Sequence, residues 1–127
     1  MIAIAADLLV ISLIILILDG IFIYAIKNMF MRQIELVQGS PLTVNVPSAV
    51  ICYIFIITGL YYFILRCKDA LVQEAFLLGV FVYGVYETTS MTVLRNWSPT
   101  TAMIDTAWGG VLFGLTTYIY KQYKQLK

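Results

Sequence analysis

Residues 8–26 form an apolar run in which Asp19 is the only charge. At about 1.5 Å per residue, a helix of that length crosses the ~30 Å hydrocarbon layer of a bilayer. Three further runs follow at 47–65, 70–94 and 100–120. Inside hydrocarbon no water satisfies backbone N–H and C=O groups, so only helices or closed barrels can span it. Four runs of about twenty residues select helices. The expected fold is an all-α integral membrane protein, a four-transmembrane-helix bundle forming one domain over 1–127. Composition agrees: 12% of the residues are charged and 61% hydrophobic, whereas a soluble domain carries roughly 25% charged residues.

Local punctuation sets the boundaries. Pro41, Pro47 and Pro99 all lie outside the run interiors, and Asn45 and Ser98 stand where capped helix starts are expected. The 27–46 link carries Met29, Phe30, Ile34 and Val37 near helical spacing, with Lys27, Arg32 and Glu35 between them. This predicts a short helix lying in the membrane interface after the first span, ended by Gly39-Ser40-Pro41. The tight 66–69 and 95–98 links predict antiparallel hairpins of spans 2–3 and 3–4. Trp97, Tyr118, Tyr120 and Tyr123 read as interfacial anchors. No basic residue precedes the first run, so it reads as a retained helix and not a cleaved signal.

Four spans put both termini and the 66–69 link on one side. That side holds five basic residues (Arg66, Lys68, Lys121, Lys124 and Lys127) against three on the other (Lys27, Arg32 and Arg95). The positive-inside rule therefore places the termini on the cytoplasmic or equivalent side.

An ionisable group in hydrocarbon costs at least ~2.5–3.5 kcal/mol on insertion scales, so three of them call for a common explanation. Asp19 lies seven residues before Ile26, Glu87 seven before Leu94, and Asp105 six after Pro99. Each is therefore ~9–11 Å below the same face, and Tyr53, six residues beyond Pro47, joins them. Gly79, Tyr83, Glu87, Ser90 and Leu94 share one helical stripe, and Thr101, Asp105, Trp108 (or Gly109) and Leu112 share another. Tyr86 adds a further hydroxyl, and Arg95 and Lys27 stand at the rim as candidate counter-charges. Gly20, Gly79, Gly109, Gly110 and Gly114 are the positions where helices are expected to approach closely.

Several chemistries are excluded. There is no histidine, which removes the commonest general base and transition-metal ligand, and no P-loop, GxSxG, HExxH or CxxC motif occurs. No catalytic residue, metal or cofactor is expected, and the chain is read as no enzyme. A net charge of +1 without a basic run argues against nucleic acid as a partner. Cys52 and Cys67 would stand ~22 Å apart on one helix and so cannot pair; Cys67, beside Arg66 and Lys68, has the juxtamembrane setting of an acylated thiol.

The stretch Tyr83-Gly84-Val85-Tyr86-Glu87-Thr88-Thr89-Ser90, with Trp97, Ile104-Asp105-Thr106-Ala107-Trp108-Gly109 and the pair Leu18-Asp19, resembles a family of small membrane proteins. Its members occur in bacteria and some large DNA viruses, and it is known only as a domain of unknown function. Glu87 stands where the family has Asp, and Ser90 where it has Asn. The resemblance implies four spans over nearly the whole chain and a setting in a bacterial inner membrane or a viral internal or host membrane. The expected partners are lipid and other membrane or capsid proteins, or further copies of the chain. Three roles follow. The favoured one is a non-enzymatic structural or assembly protein pinned by buried carboxylates. The alternatives are a proton- or cation-linked carrier or channel using Asp19, Glu87 and Asp105, and an accessory protein in membrane lipid metabolism.

Overall fold

The computed structural model describes residues 2–126. Among them run four α-helices: α1 (Ile2–Gln38), α2 (Val46–Leu60), α3 (Val72–Val93) and α4 (Pro99–Gln125). A π-helical turn, Tyr61–Leu65, prolongs α2, with the Arg66 amide donating to the Tyr61 carbonyl at 2.9 Å. Closing a turn over five residues keeps Leu60, Ile64 and Leu65 all buried.

The helix starts follow from their capping residues. The Asn45 side chain accepts from the Ser48 amide ahead of Pro47. The Ser98 hydroxyl accepts from the Thr100 and Thr101 amides ahead of Pro99. Proline costs no hydrogen bond there, because the first helical N–H groups have no partner within the helix.

The expected separate interfacial helix after the first span is not formed. α1 instead continues unbroken for 37 residues, because neither glycine nor proline interrupts it between Ile21 and Gln38. It stops where Gly39 adopts φ 75°, the left-handed conformation that glycine enters without a Cβ penalty.

α4 is the centre of the molecule. It packs most extensively on α3 and then on α1, and α2 packs on α1. The expected hairpin of α2 and α3 is a chain connection without close packing, since these neighbours meet only weakly. Small residues explain the choice of partner. A Cβ at Gly79 would collide with the Gly109 backbone, and one at Gly110 would lie 2.8 Å from Phe76 and Val80 side-chain atoms. α2 offers no such groove, for Gly59 faces open space. Gly114 makes ordinary contact with α3, and Gly20, expected at a packing seam, has nothing within 4 Å; it points outward beside the inward Asp19.

Three helices are long and apolar enough to cross a membrane: Ile2–Gln38, Val46–Leu65 and Val72–Val93. Their outer faces stay apolar; Phe55, Phe63 and Phe81 are 73%, 66% and 65% exposed. Apolar side chains facing outward on every such helix fit lipid as the surrounding solvent.

Candidate functional site

Asp19 is buried near the middle of α1, and both of its carboxylate oxygens are used. The Tyr53 hydroxyl of α2 donates to Oδ2. Trp108 Nε1 of α4 donates to Oδ1 at 2.9 Å. One side chain thus ties three helices together. Trp108 is fixed at a second point, its indole stacking on Phe22 with centroids 4.5 Å apart and planes within 2°. Phe22 lies one helical turn beyond Asp19, so both contacts come from one face of α1.

Glu87 is fully buried on α3. Its Oε2 accepts from Trp97 Nε1 at 2.9 Å. Trp97 is 7% exposed and therefore turns inward as a donor, where an interfacial anchor was expected. The reversal comes from Asn96, whose φ of 64° folds the chain back over the end of α3; asparagine is among the residues that tolerate this conformation. Arg95, one residue earlier, is left exposed. It forms no ion pair with any carboxylate among the described residues, so the expected counter-charge does not reach the layer.

Asp105 on α4 is partly buried and interacts with Glu87 and Asp19. Among the described residues no N–H or O–H donor reaches Glu87 Oε1. The neighbouring Asp105 carboxyl is an acceptor too unless it carries a proton.

Tyr83 links the two halves. It is partly buried, in electrostatic contact with Asp19 and Asp105. Its ring occupies the space a Gly109 side chain would fill and meets Phe113 edge-on at 6.2 Å. Ser90 is buried on the Glu87 stripe, whereas Tyr86 is 54% exposed and faces outward. The structure therefore gathers Asp19, Tyr53, Tyr83, Glu87, Ser90, Asp105 and Trp108, and leaves Tyr86 and Arg95 at the edge.

Sequence reasoning missed a second polar cluster. Gln33 is buried at 4% exposure. Its Nε2 donates to the Asn96 carbonyl at 2.6 Å, and its Oε1 accepts from the Ser98 amide at 3.0 Å and the Thr101 hydroxyl at 3.4 Å. Asn96 Nδ2 returns a bond to the Leu36 carbonyl at 3.4 Å. The extension of α1 is thereby clasped to the α3–α4 connection. A signal existed, because Gln33 sits on the Met29, Phe30, Ile34 and Val37 stripe.

At the opposite end Lys124 pairs with Asp7 at 3.1 Å, the ion pair found among the described residues. Tyr120, expected as an interfacial anchor, is buried at 4% exposure, while Tyr118 is exposed as an anchor should be. Cys52 and Cys67 are free and exposed. No group of His, Cys, Asp and Glu among the described residues is arranged to hold a metal.

No curated protein and no solved structure matches the chain. Residues 4–120 match one protein family, described as "Predicted membrane protein (DUF2177)". With that match covering nearly its whole length, and with three helices able to span a bilayer, the chain belongs to this membrane protein family of unknown function.

Proposed function

We propose that the protein is a non-enzymatic, four-span membrane protein with a structural or assembly role, and that the carboxylate layer is its internal fastening. The observation that carries this reading is Asp19, whose two oxygens are engaged by donors from two other helices. A carboxylate so held is fixed between α1, α2 and α4, as a fastening requires. Two cavities lie at the ends of the helices, one against Asp7 and Lys124 and one against Arg32 and Glu35, and no residue of the layer lines either.

α4 is taken as the fourth span, although it is more polar than the others. Its 27 residues reach ~40 Å, beyond the ~30 Å a span needs. It contributes more buried residues than any other helix, including Thr116 and Thr117. A helix enclosed by its neighbours faces little lipid and tolerates hydroxyls and glycines.

One observation supports the alternative of a proton-linked function. Glu87 Oε1 is buried without a donor among the described residues, and the Glu87 carboxyl interacts with that of Asp105. A single proton held between the two carboxyls would complete the bond, and such a pair titrates as a unit. Purified protein in vesicles under a pH gradient separates the readings. Flux equal to that of empty vesicles is the expected outcome; a flux abolished by Glu87→Gln would establish the alternative.

A further inference from the structure

The 66–70 connection and the end of α4 enclose a cavity of about 440 Å³ that has no part in the carboxylate layer. Its wall carries Arg66, Lys68, Lys121 and Lys124, with Asp7 as the sole acidic residue and Tyr61 beside it. Four cations against one carboxylate leave an excess of three positive charges in a concave site. The structure already spends part of this charge. Lys124 is held by Asp7, and Lys121 Nζ donates to the Ala70 carbonyl at 2.7 Å. Arg66 uses only Nε, donating to the Tyr62 carbonyl at 2.6 Å, while its guanidinium lies 4.2 Å over the Tyr62 ring. Its two Nη groups and the Lys68 ammonium make no hydrogen bond among the described residues.

The height of the cavity identifies the ligand class. It lies where α1 begins, where the π turn ends and where α4 finishes, which on the four-span reading proposed above is the membrane–water boundary. Directly beneath, Tyr62 and Phe63 are 56% and 66% exposed, an apolar strip against which acyl chains can lie. Planar guanidinium and ammonium groups are the usual partners of phosphate oxygens, and basic pockets between membrane helices recognise anionic headgroups. We propose that this cavity binds a phosphate-bearing anion, namely the headgroup of an anionic phospholipid.

Native mass spectrometry of the full chain, exchanged into phosphatidylglycerol or phosphatidylcholine, tests the assignment. Wild-type protein should retain phosphatidylglycerol preferentially. The double variant Arg66→Gln/Lys68→Gln should weaken retention roughly thirtyfold, and the charge-keeping Arg66→Lys/Lys68→Arg should restore it. Lys27→Gln/Arg32→Gln, at the opposite end, should leave it unchanged. Millimolar inorganic phosphate that displaces the lipid would show that the phosphate group alone is read; failure to displace it would show that the whole lipid is required. Equal retention of the two lipids by wild-type protein overturns the proposal whether or not the variants fold. So does equal loss in the Lys27/Arg32 control.

Discussion

Asp19 carries the polar layer because its carboxylate serves a tyrosine and a tryptophan at once, and the two donors differ in what they tolerate. Trp108 Nε1 can only donate, whereas the Tyr53 hydroxyl can also accept. In Asp19→Asn the amide oxygen can remain on Trp108 and the amide N–H can turn to Tyr53, so both links survive. Asp19→Leu removes both. At ~0.6–1.7 kcal/mol per interhelical bond, the leucine variant should lose roughly 1–3 kcal/mol and the asparagine variant much less. Unfolding in mixed detergent micelles should rank them in that order, and equal loss would refute the bonding scheme. The residues of this layer were legible because depth is a one-dimensional quantity, counted along each run from a common face. What lies around a helix at that depth, and what a loop folds back, is not countable in this way. The donor role of Trp97 toward Glu87, the exposure of Arg95, and the contacts of Phe22 and Gln33 are of this second kind.

Between elements, glycine geometry yields a graded expectation. Gly79→Ala and Gly109→Ala should each cost ~1–3 kcal/mol through overpacking, since a Cβ at Gly79 meets backbone and one at Gly109 meets the Tyr83 ring and the Gly79 carbonyl. Gly110→Ala should cost less, because the half-exposed Phe76 ring can move. Gly114→Ala, with its nearest atoms at 3.6 Å, and Gly20→Ala should be close to neutral. Thermal denaturation in one detergent suffices to rank the five; a large effect at Gly20 with none at Gly79 would contradict the packing. Sequence spacing marked these glycines as a set but could not say which of them face a partner. The helix starts were better determined, since Asn45-Val46-Pro47 and Ser98-Pro99 act locally. The end of the first helix is not legible in this way, because polarity rises at Lys27 while the backbone offers no break before Gly39.

At the scale of the whole molecule, the proposed four spans require the polar α4 to cross the bilayer. Ser40→Cys and Gln122→Cys, each in a background lacking Cys52 and Cys67, place a single thiol at either end of the bundle. Four spans predict that a membrane-impermeant maleimide labels only one of the two in intact cells. Labelling of both from outside would leave three spans, with α4 held on one side.

The π turn at Tyr61–Leu65 makes the direction in which the following residues face depend on how the chain is wound there. Deleting one residue would let the turn relax into an α-helix with the chain beyond it facing as before, whereas the same relaxation at full length would rotate everything beyond it by ~100° relative to Leu60. Arg66 and Lys68 would swing away from α4, and the wall they share with Lys121 and Lys124 would open. Side-chain identity matters less at Tyr62 and Phe63, which face outward, than at Ile64 and Leu65, which are buried. This stretch thus stores positional information in its winding, and a change that rewinds it as regular α-helix would disturb the basic wall more than a substitution of similar polarity outside it.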